Sequence, residues 1–109
     1  MPIEKWSEQV SVVHLGDDPQ FTEDLDALER WLSNGAGDAV LDFAGVHFIN
    51  SSNLARLLRV RQRMVSGGRR LVLCSVSTQV WGAFLVTGLD KVLDFSDNVT
   101  TALATLQMA

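Results

Sequence analysis

Val40-Leu41-Asp42-Phe43-Ala44-Gly45-Val46-His47-Phe48-Ile49-Asn50-Ser51-Ser52-Asn53-Leu54 is the stretch on which the fold turns. It opens inside the apolar run Ala39–Phe43, which is too short for a helix and reads as a buried strand. It closes on four small polar residues, Asn50, Ser51, Ser52 and Asn53, each able to satisfy an orphan N–H at a helix start. A helix from about Asn53 to Ser66 is expected. Leu54, Leu57, Leu58, Met64 and Val65 form its inward face, and Arg56, Arg59 and Arg63 point outward. Gly67-Gly68 stops it.

The same alternation continues on both sides. Downstream, Leu71–Cys74 reads as a strand, and Ser77 caps a helix carrying Val80, Trp81, Phe84 and Leu85 that ends at Gly88. Val92–Phe95 reads as a further buried strand, and Asn98 caps a last helix with Val99, Ala102, Leu103 and Leu106 on one face. Upstream, Thr22 is the expected cap of a helix with Leu25, Leu28 and Leu32 on one face, Phe21 packed back over its start, and Asn34-Gly35 at its end. Gly16-Asp17-Asp18-Pro19 is a turn cluster. Before it, Ile3–Leu15 suits two short strands divided near Ser7–Gln9. Val10, Val12 and His14 share one face there, and Val13 and Leu15 the other.

Strands near 39–43, 71–74 and 92–95 are separated by enough residues for parallel crossovers. The expectation is one α/β domain over residues 1–109: a mixed, largely parallel sheet, an N-terminal hairpin and four helices. Function in such sheets gathers beyond the carboxyl ends of the strands. Those loops are Ala44–Ser52, Ser75–Ser77 and the stretch after Phe95.

Composition narrows the class. The chain has 109 residues, 47% hydrophobic and 20% charged, as in an ordinary globular protein. No apolar run reaches the roughly 18 residues that span a bilayer, and the N-terminus lacks an apolar signal-peptide segment. Cys74 is the single cysteine, so no internal disulfide forms, and a cytoplasmic location is expected. The net charge of −4 conceals an asymmetry. Between Phe43 and Leu89 there is no Asp or Glu, while six of the nine basic residues fall there. That segment carries +6; the other three basic and all thirteen acidic residues leave −10 elsewhere. Two readings stay open: a solvated arginine face, or one that meets an acidic partner. Nucleic acid is disfavoured, because no aromatic residue interleaves with the arginines.

Catalytic and metal chemistry finds no support. His14, His47 and Cys74 lack ligand spacing, so no metal or other cofactor is expected. Nucleophile-elbow and Walker sequences are absent, and Gly35-Ala36-Gly37 precedes a strand instead of following one. A hydrolase using Ser51 would need His47 and Asp42 aligned with it, and nothing in the spacing requires that. Two readings of the Asn50–Asn53 run remain. It is a good helix cap, or it presents a hydroxyl that carries a phosphate and switches a partner through added charge.

The run Val40–Leu54 resembles the signature of STAS domains, the family of anti-sigma factor antagonists, whose members read as an apolar strand followed by D-x-x-x-V/L-x-F-[IM]-D-S-[ST]-G-L. Gly67-Gly68-Arg69-Arg70-Leu71-Val72-Leu73-Cys74 and Thr87-Gly88-Leu89-Asp90-Lys91-Val92-Leu93-Asp94-Phe95 are similar to two later family segments. The resemblance covers roughly Val10 to Leu106. It implies a cytoplasmic bacterial regulator, not an enzyme, that binds an anti-sigma factor which is also a Ser/Thr kinase and so frees a sigma factor. Phosphorylation would end that binding. The family's phosphoacceptor falls on Ser51, with Ser52 beside it. Asn50 stands where the family has Asp and Asn53 where it has Gly; the latter is expected to add a side chain where a partner backbone approaches. The helix that follows contributes to the family's partner face, so Arg56, Arg59 and Arg63 are candidate partner contacts, with Arg56 also able to hold a phosphate on Ser51. The alternative within the family is an accessory subunit of a lipid-transport ABC system, whose partner would be a transporter ATPase subunit. A monomer or weak dimer is expected, with Trp6, Trp31 and Trp81 as core or rim residues.

Overall fold

The computed structural model describes residues 3–7, 9–32 and 37–107. Among them run β1 (Ile3–Lys5), β2 (Val10–Gly16), α1 (Gln20–Leu32), β3 (Asp38–Gly45), α2 (Ser51–Ser66), β4 (Leu71–Cys74), α3 (Thr78–Thr87), β5 (Asp94–Ser96) and α4 (Val99–Gln107). The strands lie in chain order in one sheet. β1 pairs antiparallel with β2, and β2 to β5 are parallel neighbours. This is the mixed, largely parallel sheet with an N-terminal hairpin and four helices that the sequence pattern implies.

Strand periodicity decides which layer each side chain joins. Val13, Leu15, Ala39, Leu41, Phe43, Leu71 and Leu73 face one way and pack against the apolar stripes of α1, α2 and α3. Val10, Val12, Val40, Val72 and Cys74 face the other way and pack beneath Ala102, Leu103 and Leu106 of α4. β3 is covered on both sides, which is why its sequence is almost continuously apolar. Phe43 sits at the centre of the larger layer, edge-on to Phe21 of α1 and Phe84 of α3 at centroid distances of 5.9 and 6.1 Å.

Local capping is mostly as the sequence implies. Ser77 accepts from the Val80 N–H, Asn98 accepts from the Thr101 N–H, and Gly88 takes the left-handed conformation after α3. Several expectations are corrected. α1 begins at Gln20, so Thr22 is inside it; the cap comes from Asp18, whose carboxylate accepts both the Thr22 N–H and its hydroxyl. In α2 the buried stripe is Asn53, Leu57, Val60 and Met64, while Leu58 and Val65 are exposed. A 3.6-residue repeat through 57, 60 and 64 leaves 58 and 65 on the flank. The strand read at Val92–Phe95 is only Asp94–Ser96. Leu89–Lys91 forms a short 3-10 turn, and Val92 is exposed. In α3, Val80 and Phe84 are buried, Trp81 is half-buried and Leu85 is exposed. The expected stop at Asn34-Gly35 lies outside the described residues.

Parallel strands put their carboxyl ends together, so the loops after β2 and β3 meet. The register slips between His14 and Gly16, which brings Gly16 opposite Gly45. A Cβ on Gly45 would lie 2.9 Å from the Leu15 carbonyl oxygen, so only glycine permits this approach. The slip sets Asp17 and Asp18 against the residues that lead into α2.

Candidate functional site

Asn50 caps α2, and Ser51 and Ser52 occupy its first two positions. The Asn53 N–H donates to Asn50 Oδ1 at 2.8 Å, and the Asn50 N–H donates to Asn53 Oδ1 at 3.1 Å. This is a reciprocal capping box built from two asparagines. Asn53 Nδ2 then donates to Asp18 Oδ2 at 2.9 Å. The Asn53 side chain is therefore turned inward and only 3% exposed. The expectation that it stands in the way of a partner is corrected: it braces the loop from within.

Asp17 completes the brace. Its Oδ1 accepts the N–H groups of His47 (2.7 Å) and Phe48 (3.1 Å), and its Oδ2 lies 2.9 Å from His47 Nδ1. The hydrogen bond from the His47 backbone is the main reason the Asp17 carboxyl is held below the usual range. Asp18 is lowered in the same way, chiefly by the Asn53 amide. His47 is thus committed to Asp17, and His14 Nδ1 is 2.7 Å from Asp42 Oδ2. With His47 held by Asp17 and Asp42 by His14, these side chains do not form a nucleophile–base array with Ser51 among the described residues.

What this framework leaves open is Ser51 and Ser52. Both are exposed, and neither their N–H groups nor their hydroxyls have a partner among the described residues. Ser51 stands at the mouth of a groove of about 330 Å³ lined with Leu54, Ala55, Leu58, Thr87 and Leu89. Other apolar side chains are exposed on the neighbouring elements: Phe48 is 70% exposed in the loop before α2, and Leu85 and Val86 are exposed on α3.

Three of the four arginines of α2 stand elsewhere. Arg56 forms an ion pair with Asp26 of α1. Arg56 Nε and Arg59 Nε each lie 3.9 Å from Glu29 Oε1, and Arg63 Nη1 donates to Glu29 Oε2 at 3.4 Å. All three turn toward α1, so Arg56 is directed away from Ser51. Arg59 and Arg63 keep side chains 56% and 41% exposed.

The sequence reading finds Ser51 and its neighbours but not their support. Asp17, Asp18 and His47 enter the site through contacts some thirty residues apart. The only sequence signal was Asp17-Asp18-Pro19, which reads as a turn and no more.

The STAS domain family model matches residues 20–102, and the chain belongs to that family. A STAS-domain anti-sigma factor antagonist from Planctomyces limnophilus superposes with a TM-score of 0.82 at 23% identity, over 96% of this chain and 97% of that one. The Bacillus cell fate determinant SpoIIAA in its phosphorylated form gives 0.74 at 17% identity, over 94% and 96%. A sulfate transporter family protein from Wolinella succinogenes gives 0.78 at 22% identity, over 91% and 85%. No curated protein matches the chain. Among the described residues, no helix is long and apolar enough to cross a membrane.

Proposed function

We propose that this chain is an anti-sigma factor antagonist: a binding module, not an enzyme, that engages an anti-sigma factor with serine kinase activity and is released when Ser51 is phosphorylated. The observation that carries this reading is the placement of Ser51. Its hydroxyl is free, on a braced helix start, at the mouth of an apolar groove.

The groove and its apolar surround supply the docking energy, since exposed apolar patches of this kind mark interaction surfaces. A phosphate on Ser51 adds about −1.5 to −2 charges at that mouth. The unpartnered N–H groups at the start of α2 favour an oxyanion there. The modified state is therefore retained by the chain itself, while an apolar partner surface must desolvate the new charge to stay bound. Arg59 and Arg63, partly exposed on the α1 side of α2, offer a second contact region to an acidic partner surface. A cytoplasmic location follows from such a partner.

Pull-down of an anti-sigma kinase with and without ATP tests the proposal. Complex without ATP and release with it are expected. Ser51→Ala should bind but not release. Leu58→Asp should abolish binding without lowering the melting temperature. Charge reversal at Arg59 and Arg63 should weaken binding; unchanged affinity would remove those two residues from the interface. No complex in either condition would sink the antagonist reading, and capture of a transporter ATPase subunit instead would carry the transport alternative.

A further inference from the structure

The loops that follow β4 and β5 are tied together beyond the carboxyl ends of those strands. The Ser75 N–H donates to the Asp97 carbonyl at 3.2 Å. Among the described residues Ser75 is also the one non-glycine position with a positive φ, 57°, a conformation that an L side chain enters at a cost. Beside this tie is a hollow of about 270 Å³ lined by Val76, Trp81, Phe95, Ser96 and Asp97. Ligands of open α/β sheets bind at this end of the strands. The hollow is separate from the surroundings of Ser51, because α3 turns other residues, Gln79, Val80 and Ala83, toward the loop before α2.

Its wall is aromatic and its charge is negative. Trp81 and Phe95 stand edge to face, at 90° with centroids 4.8 Å apart, and Phe84 meets Phe95 at 5.1 Å. These contacts fix the two rings, and both are only half-buried, so ring surface is left facing the hollow. The face of an indole is electron-rich and attracts cations. Asp97 is exposed and is the one charged residue in the lining. Its carboxylate has no hydrogen-bond or ion-pair partner among the described residues. The sequence holds no Lys or Arg between Arg70 and Lys91 and none after Lys91, so neither loop brings a base to neutralise it. The nearby starts of α3 and α4 are answered by their own caps, Ser77 and Asn98.

We propose that this hollow binds an alkylammonium group. The carbon stem packs on Val76 and the rings, and the charge lies between the Trp81 indole and the Asp97 carboxylate. An anion would be repelled by Asp97, and a neutral apolar ligand would leave that carboxylate unused. The volume is just below the roughly 300 Å³ at which pockets enclose a drug-sized ligand. The site therefore takes a small free amine or a single lysine side chain of a peptide. It does not rest on the antagonist reading.

Proton–nitrogen NMR of the whole chain, titrating n-butylammonium chloride against potassium chloride at matched ionic strength, tests the site. Saturable shifts are expected at the Trp81 indole N–H and at the backbone amides of Val76, Ser96 and Asp97. n-Butanol, the same stem without the charge, should bind about tenfold more weakly. Asp97→Asn and Trp81→Leu should each weaken butylammonium binding about three- to fivefold, the sizes of an exposed charge pair and an exposed cation–π contact. Asp97→Asn should leave n-butanol binding unchanged. N-acetyl-lysine methylamide assigns the source. Binding at least as tight as that of butylammonium means a peptide side chain, and weaker or absent binding means a free amine; both support the site. Shifts that potassium chloride reproduces, n-butanol binding as tightly as butylammonium, or affinity unchanged in Asp97→Asn with its melting temperature intact, would overturn it.

Discussion

Asn53 joins two loops through one side chain, accepting from the Asn50 backbone and donating to Asp18. Asn53→Ala strands both partners, and a loss of about 1 to 3 kcal/mol is expected in urea unfolding. The exposed Ser51, by contrast, should tolerate alanine within about 0.5 kcal/mol. Acidic residues nearby set opposite pH responses. Asp17 and Asp18 have folded pKa values below 3.8, so their contribution is fully present above that pH and fades as pH falls through the folded values. Asp24 is different. It is buried on α1 with Gln20 donating to one oxygen, and burial pushes its carboxyl above 3.8. Its folded form binds the proton more tightly, so it subtracts stability as pH rises from 3.8 through its folded pKa, and the penalty levels off beyond. Asp24→Asn should remove that downward slope, read from melting temperatures across pH; a slope unchanged in the variant would contradict the assignment.

α2 shows where sequence patterning succeeds and where it fails at the scale of an element. Asn50 to Asn53 were legible as a helix start because small polar residues have a specific job there. The buried stripe was less legible, because Leu58 and Val65 are as apolar as Leu57 and Val60 and differ only in angle around the helix. Val60→Ala should cost about 2 kcal/mol through the cavity it leaves, whereas Leu58→Ala should cost under about 0.5 kcal/mol. Thermal unfolding of the two variants checks this. β3 and β4 were readable because burial on both faces makes nearly all their central positions apolar. β5 was not: its residues are partly exposed at the sheet edge, and the apolar Val92 and Leu93 belong to the turn before it. Asp17 and Asp18 were missed for a third reason, since their partners come from register between strands and no local pattern encodes that.

Viewed as a whole, the molecule separates its surfaces by the direction of its strands. The carboxyl ends gather the braced loops and Ser51, and Arg61, Arg69 and Arg70 lie by the amino ends of β4 and β5. The two faces of the sheet are unequal as well. Three helices cover one, while among the described residues α4 is the helix packed on the other. Cys74 lies beneath it, fully buried, and burial pushes its thiol up to about 11. Thiol reagents should therefore leave the native chain unlabelled for as long as α4 stays seated, and modification should follow the opening rate, measurable by mass spectrometry. Rapid labelling with α4 still docked would contradict this burial. When α4 lifts, Val10, Val12, Val40 and Val72 form an uncovered valine strip. That strip is the kind of surface on which misfolded chains stick together and which protein quality control recognises. One short helix thus stands between this chain and its own clearance.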